Sequence, residues 1–173
     1  MGSPAPRAVL VDGYNVLHAI PSFAPRGGDL AASRDHFESW LAQAAARSGV
    51  AECVLIWDGR EGQRQRRAGP VRVLYTAAGV TADDRLLDLC RGAFAARAAS
   101  TWVVSSDRDV QGPARQLGFA VLGAMTFYRR WAPAADPSAH PQSADRVRST
   151  PAPSRAEVDE LLAEFLEADR DPR

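Results

Sequence analysis

The chain has 173 residues, is 46% hydrophobic, and balances 21 basic side chains with 21 acidic ones. One domain of this length can bury a sizeable core, and zero net charge excludes a general field that recruits polyanions, so any nucleic-acid surface must be local. Apart from the histidines, every basic side chain is an arginine, whose planar guanidinium suits phosphate.

Strand-like and helix-like stretches alternate from residue 8 to residue 123. Short apolar runs predict strands buried on both faces, and apolar residues at helical spacing predict amphipathic helices between them. The alternation predicts an α/β fold with a parallel sheet of five strands and right-handed crossovers. The predicted elements are a strand ending at Asp12, a loop at 19–29, a helix at 30–48, a strand at 51–57, a loop at 59–70, a strand at 71–76, a helix from Thr81 to about 98, a strand at 101–105, a helix at 109–117 and a strand at 119–123.

The rest of the chain has a different composition. Residues 125–131 are ambiguous, and the stretch 132–153 contains five prolines among Ser, Ala and Asp, which predicts a flexible linker. Residues 154–173 begin with a capping box and carry an apolar stripe, with seven acids against three arginines. We therefore expect a folded domain at 1–131, a linker, and an acidic end helix that buries its stripe on the domain, a second copy or a protein partner.

Acidic side chains follow several of the predicted strands. Because the carboxyl ends of neighbouring parallel strands meet at one edge of a sheet, these carboxylates should converge there. A carboxylate cluster without nearby Lys is a hard-cation site, suited to Mg²⁺ or Mn²⁺, and such a set suits metal-assisted hydrolysis of phosphodiesters. The core set is Asp12, Asp83, Asp84 and Asp107, with Asp58 and Asp109 flanking it.

Each of several polar residues near these acids has two interpretations. Asp83 and Asp84 also suit helix capping, and Asp58 also suits a turn. Asn15 either orients a metal-bound water or holds its loop. Two further pairs of alternatives stay open. Of Ser105 and Ser106, one hydroxyl either bonds a carboxylate or phosphate or is that of a turn serine, and His18 either touches substrate or is a loop or core histidine.

Arginines concentrate after the strand that ends in Asp58. Residues 60–72 contain five arginines against one acid, and this segment should overhang the acidic edge and grip phosphates, unless it is a solvated loop. Around Trp131 lies a smaller basic patch, whose indole either stacks on a base or packs on the core. The predicted RNA-binding residues are Arg60, Arg64, Arg66, Arg67 and Arg108.

Cysteine and apolar content indicate the compartment. Cys53 and Cys90 lie inside apolar patterns, which predicts buried thiols in a reducing environment and not a disulfide. No run approaches the roughly 20 apolar residues of a membrane span, and the first residues show no signal region. We expect a cytoplasmic protein with no membrane contact.

Three motifs occur in an order that resembles one nuclease family. They are Val11-Asp12-Gly13-Tyr14-Asn15-Val16, Thr81-Ala82-Asp83-Asp84 and Ser105-Ser106-Asp107-Arg108-Asp109. Over about residues 8–131 they resemble the NYN-domain family and its YacP-like branch, which is similar to PIN-domain nucleases and includes a bacterial ribosome-associated endoribonuclease that cleaves mRNA. The linker and end helix are not matched to the family.

The resemblance implies a Rossmann-like three-layer α/β/α sandwich with a Mg²⁺ or Mn²⁺ site. By motif, the acids of the family fall on Asp12, Asp83, Asp84 and Asp107. From the convergence of these acids we expect Asp12, Asp84 and Asp107 to bind the metal directly, with Asp83 a ligand or the holder of a metal-bound water. Asn15 matches the asparagine of the family motif. The residues expected to surround these ligands are Asn15, Asp58, Ser106 and Asp109.

These observations predict a metal-dependent endoribonuclease, with mRNA and the ribosome as expected partners. The alternative is a non-catalytic RNA- or ribosome-binding module of the same fold, although a pure binder gains nothing from carboxylates that face phosphates. A third hypothesis, phosphatase action on small esters, predicts a closed pocket. It is disfavoured because no Asp-x-Asp follows the first strand.

Overall fold

The computed structural model describes residues 5–25, 28–59 and 65–133. Nearly all of the expected linker, the end helix, and Arg60 and Arg64 lie outside these ranges. Their predicted roles therefore stay predictions.

A six-stranded sheet forms the centre of the domain, with helices on both faces. Its strands are β1 (Ala8–Asp12), β2 (Glu52–Trp57), β3 (Gln65–Ala68), β4 (Val71–Tyr75), β5 (Thr101–Val104) and β6 (Ala120–Leu122). Their spatial order is β3-β4-β2-β1-β5-β6, and only β3 runs antiparallel to its neighbour. The helices are α1 (Gly13–Ala19), α2 (Leu30–Ser48), α3 (Ala82–Arg91), α4 (Arg108–Gln116) and α5 (Ala124–Trp131), with a 3₁₀ helix at Ala95–Ser100.

Two apolar cores lie on opposite faces of the sheet, which confirms the three-layer α/β/α sandwich. On one face, α1, α2 and α5 pack on the sheet around Val11 and Phe37. On the other face, α3 and α4 pack around Leu10 and Leu86. All five residues of β1 are buried because alternate side chains enter the two cores, so β1 is the central strand that its continuous apolar run predicts.

Local sequence signals correctly predicted where several of the helices begin or end. The predicted helix at 30–48 is confirmed as α2, which ends at Gly49 in the left-handed conformation with φ of +66°. Thr81 caps α3 as predicted, since its hydroxyl accepts a hydrogen bond from the Asp84 amide. The ambiguous stretch is helix α5, while the helix predicted to continue to about residue 98 ends at Arg91 before the 3₁₀ turn.

The prediction of five strands was wrong, because part of the predicted loop at 59–70 is strand β3. Its residues Gln65–Ala68 pair with β4 across a two-residue turn in which Gly69 has φ of +57°. Three of the four side chains of β3 are exposed, so the segment has no apolar alternation by which to recognise a strand. Its identity as a strand depends on pairing with β4.

Helix α1 was also missed, since the sequence suggested only a turn and a loop after β1. Asp12 caps this helix by accepting a hydrogen bond from the Asn15 amide. Gly13 begins it against β2, where a Cβ atom would lie 2.7 Å from the Ile56 carbonyl oxygen and would also collide with the Trp57 indole. The glycine that looked like a turn signal is therefore required for close packing.

Both cysteines are buried free thiols, as predicted. Burial raises the pKa of the Cys90 thiol to about 11, so it stays protonated at neutral pH. None of the helices in the described part of the chain is long and apolar enough to cross a membrane.

Candidate active site

One cleft collects most of the predicted acids at the carboxyl edge of the sheet. It has a volume of about 520 Å³ and opens to solvent beside the ends of β1, β2 and β5 and the start of α3. The parallel strands bring these ends together, as expected for an α/β sheet. The cleft is lined by Asp12, Tyr14, Asn15, His18, Ala19, Asp58, Asp83, Ser106 and Asp107.

Asp12 is the most buried of these acids, with 4% of its surface exposed. It accepts hydrogen bonds from the Asn15 amide at 3.3 Å and from the Ser105 hydroxyl at 3.0 Å. The pKa of its carboxyl is raised to about 7, chiefly by burial and also by the negative charge of Asp83, while the hydrogen bonds from Asn15 and Ser105 oppose this rise. Asp12 is thus a carboxyl group that needs a proton or a cation.

Asp83 is the residue whose side chain pairs with Asp12. The protonated carboxyl group of Asp12 donates a hydrogen bond to the carboxylate of Asp83. The pKa of Asp83 is also raised, first by burial and then by the negative charge of Asp107, with smaller contributions from Asp58 and Asp84. Asp83 therefore interacts with four other acidic side chains, and the repulsion among their negative charges favours a bound cation.

Ser105 connects the acids of two strands. Its hydroxyl donates to Asp12 and accepts a hydrogen bond from the Asp107 amide at 3.1 Å. The backbone carbonyl of Ser105 accepts from the Gln111 side chain at 2.7 Å. Asp107 caps α4 by accepting from the Asp109 amide at 2.8 Å. One buried hydroxyl thereby orients the carboxyl group on β1 and the backbone that carries Asp107.

Gln111 was not among the predicted residues, whereas Ser105 was a candidate, together with Ser106, for a hydroxyl that bonds a carboxylate, and Ser105 makes this bond. A signal for Ser105 was present, since a polar residue that directly follows a continuously buried strand must find a hydrogen-bond partner. Gln111 lies four residues after Asp107 and so faces the same side of α4, although helical spacing alone does not reveal its bond to Ser105.

The contacts of Asn15 and Ser106 show a structural role for each of these two side chains. The Asn15 side-chain oxygen accepts from the Ser106 amide at 2.6 Å, so Asn15 holds the loop after β5 against α1. The Ser106 hydroxyl accepts from the Ala124 amide at 3.1 Å and caps α5, whose own N-cap residue, Gly123, has no side chain to do so. Both residues are scaffold for the cleft that they also line.

The remaining acids separate into two groups. Asp58 lines the cleft and accepts a hydrogen bond from the Ala82 amide at the start of α3. Asp84 is exposed and forms the capping box with Thr81, whose hydroxyl donates to it at 2.9 Å. Asp109 is exposed and contributes its amide to Asp107. The cleft thus brings together Asp12, Asp58, Asp83 and Asp107, whereas Asp84 and Asp109 are not among its lining residues.

The donors fit a hard divalent cation in kind, because carboxylate oxygens are the ligands that Mg²⁺ and Mn²⁺ prefer and the Asp12–Asp83 pair already needs positive charge. Within the ranges that the structure describes, no three His, Cys, Asp or Glu side chains converge closely enough to enclose an ion. The pair is therefore the anchor of a candidate site, and Asp107 and Asp58 surround it with further negative charge.

The predicted phosphate-binding arginines occupy different environments. Arg66 forms an ion pair with the buried carboxylate of Glu38, which also accepts from the Trp57 indole at 2.9 Å, so Arg66 ties β3 to α2. Arg67 is exposed on β3, and Arg108 is exposed at the start of α4, next to Asp107. Their RNA contacts stay predictions.

Trp131 packs in the core against Phe127, with ring centroids 4.6 Å apart, and is 7% exposed. Of the two alternatives for this indole, the structure supports packing on the core.

Comparison with known proteins agrees with this fold. The family model described as the YacP-like NYN domain matches residues 9–168. Two crystal structures of Rae1 (YacP) from Bacillus subtilis, one of them a point mutant, are similar with a TM-score of 0.60 and 25% identity. Each alignment covers 72% of this chain, together with 74% of the mutant chain and 72% of the other. No curated protein matches significantly. The family match extends past residue 131, where the motif comparison stopped.

Proposed function

Because this chain belongs to the YacP-like NYN domain family, whose domains are nuclease-like and related to RNA, we propose that it is a metal-dependent endoribonuclease. It hydrolyses RNA phosphodiester bonds with Mg²⁺ or Mn²⁺. The observation that carries the proposal is the pairing of two carboxyl groups, Asp12 and Asp83, in an open cleft that Asp107 also lines.

The Asp12–Asp83 pair would anchor the cation, and Asp107, which lines the same cleft, would join them as a ligand once the ion is bound. When bound, the cation stabilises the charge that develops on the phosphorus oxygens and lowers the pKa of water. This assignment replaces Asp84 by Asp83, since Asp83 contacts Asp12 while Asp84 is bonded to Thr81. Asp58 is the remaining carboxylate of the cleft, and we assign to it the proton of an attacking water.

The scaffold residues keep these groups in position before substrate arrives. Ser105 holds the Asp12 carboxyl and the Asp107 backbone, and Asn15 joins helix α1, which Asp12 caps, to the loop that carries Asp107. Preorganised carboxylates lose little freedom on binding a cation and a phosphate. The hydrogen-bond network therefore fixes the positions of these groups, and the carboxylates supply the negative charge that binds the cation.

The shape of the cleft supports a polymer as substrate. It is open to solvent, which suits an RNA strand that passes across it better than a small phosphate ester that needs enclosure. Arg67 and Arg108 are exposed cations that could contact the RNA backbone outside the cleft. Cleavage of mRNA at the ribosome, and a second copy or protein partner at the end helix, are further parts of the proposal that rest on the sequence.

Incubation of a mixed RNA pool with Mg²⁺, Mn²⁺ or EDTA, followed by mapping of the new ends, tests this function. We expect internal cuts that require the cation and that fall at least ~10²-fold in Asp12→Asn and Asp107→Asn. Asp109→Asn is the matched control, since only its backbone amide contacts the site. Full cleavage by both site variants would refute the proposal, and RNA binding without any cut would favour the non-catalytic module.

A further inference from the structure

Two aromatic side chains line the cleft beside the carboxylates, and the proposed hydrolysis gives neither of them a task. Tyr14 and His18 lie one turn apart on α1, with ring centroids separated by 6.0 Å and planes only 19° from parallel. Tyr14 is half-buried, whereas His18 is exposed. The pair therefore presents a flat imidazole at the wall of the cleft with a second ring behind it.

The inner ring is fixed by its surroundings. Tyr14 contacts the buried Trp57 edge-on, with centroids 4.8 Å apart, and its hydroxyl accepts a hydrogen bond from Arg34 at 3.4 Å. Trp57 is itself held by the bond from its indole to Glu38. A ring fixed on two sides gives the exposed imidazole a rigid support, and rigid aromatic surfaces lose little entropy when a ligand stacks on them.

We propose that Tyr14 and His18 form a stacking platform for an unpaired nucleobase next to the phosphate at the carboxylates. Sequence-tolerant binding of single-stranded nucleic acid combines backbone electrostatics with bases stacked on aromatic side chains. A base in a duplex has no free face to offer, so the platform makes cleavage depend on an unpaired nucleotide beside the cut. This inference rests on the proposed function for the identity of the ligand.

Binding without cleavage tests the platform directly. The full chain is titrated in EDTA at low ionic strength into a fluorescein-labelled single-stranded RNA of mixed sequence, and into the same strand annealed to its complement. We expect His18→Ala to weaken single-strand binding by about fivefold or more, and to leave the slope of affinity against salt unchanged because no phosphate contact is lost. His18→Phe, which keeps a stacking face, should bind within about twofold of the wild type.

His36→Ala is the matched control, since this second exposed histidine lies on α2 against Phe23 and does not line the cleft. A second measurement moves a single abasic nucleotide along the strand. At one position the abasic nucleotide should weaken RNA binding by the wild type but not by His18→Ala, because the variant has already lost the ring on which that base stacks. Unchanged binding by His18→Ala, or an abasic penalty of equal size in both proteins at every position, would overturn the platform.

The outcomes separate this inference from the proposed function. If Asp12→Asn cuts as well as the wild type while His18→Ala loses single-strand affinity, the platform stands and the nuclease assignment fails. If Asp12→Asn is inactive while His18→Ala binds and cuts paired and unpaired sites as the wild type does, the nuclease stands and the platform fails.

Discussion

The hydroxyl of Ser105 donates a hydrogen bond to Asp12 at 3.0 Å, joining two residues 93 positions apart in the chain. The same oxygen accepts from the Asp107 amide. Since β1 and β5 are parallel neighbours, this hydroxyl lies where the two strands end. A single side chain therefore sets the relative position of two proposed metal ligands.

Ser105→Ala should lower both stability and cleavage. The variant leaves the buried Asp12 carboxyl without one of its two donors, which costs about 1–3 kcal/mol in the free energy of unfolding. Loss of orientation should reduce cleavage about tenfold or more. Urea denaturation and initial cleavage rates measure the two effects. Ser39→Ala, at an exposed position of α2, is the control, and equal behaviour of the two variants would contradict the bridging role.

Asp83 and Asp84 should differ sharply, although they are adjacent and chemically identical. Asp83→Asn removes the partner of Asp12 and should reduce cleavage at least ~10²-fold. Asp84→Asn alters the capping box with Thr81 and should slightly weaken α3 while cleavage stays within a few fold. Cleavage rates and thermal melting, measured in parallel for the two variants, test this difference. If only Asp84→Asn is inactive, Asp84 is the metal ligand, as first predicted, and Asp83 is not.

The stability of the protein in EDTA should fall as pH rises from about 4 to about 7. The pKa of Asp12 is about 7 in the folded state and near its ordinary value of 3.8 when unfolded, so the folded chain keeps an extra proton between these values. Stability is therefore lost from about pH 4 to pH 7, by at most about 4 kcal/mol from this group.

Urea unfolding at pH 5 and pH 8 checks this dependence. In EDTA at pH 8, Asp12→Asn should be more stable than the wild type, and the difference should shrink at pH 5. Added Mg²⁺ should stabilise the wild type at pH 8 and the variant much less, because a ligand that binds only the folded state raises its stability. Identical pH profiles for the two proteins would show that Asp12 is not the titrating group.

Gly13→Ala should destabilise the fold through the packing of α1 on β2. The added methyl group would lie 2.7 Å from the Ile56 carbonyl oxygen, and a backbone atom within the sheet cannot easily move away. We expect a loss of about 1–3 kcal/mol by chemical denaturation. Gly112→Ala in α4 is the control, since its Cβ would meet nothing within 4 Å and helix propensity favours alanine.

Arg66 and Arg67 should separate a structural arginine from an RNA-binding one. Arg66→Ala leaves the buried Glu38 carboxylate without its ion pair and should lower the free energy of unfolding by about 1–3 kcal/mol. Arg67→Ala should leave stability unchanged and reduce both RNA affinity and its salt dependence. Denaturation and RNA titration at several salt concentrations measure both. If instead Arg66→Ala weakens RNA binding and leaves stability unchanged, Arg66 contacts the RNA and its ion pair with Glu38 is dispensable for stability.

The elements that could be predicted are those whose signals are local. The limits of α2, the capping of α3 by Thr81 and the burial of β1 all follow from residues close together in the sequence. The sequence also predicted the edge of the sheet where the acids meet, because the carboxyl ends of parallel strands all lie at the same edge. Strand β3 and helix α1 carry no such local pattern, since exposed arginines and a glycine also suit loops.

By itself, the sequence determined the fold class, the family motifs and the set of acids from which a site could be built. Only the tertiary structure decided which acids meet. Successive residues of a helix point about 100° apart, so the packing of α3 on the sheet turns Asp83 toward Asp12 and leaves Asp84 with Thr81. The same packing that buries apolar side chains thus selects the carboxylates, and that selection depends on contacts between residues far apart in the chain.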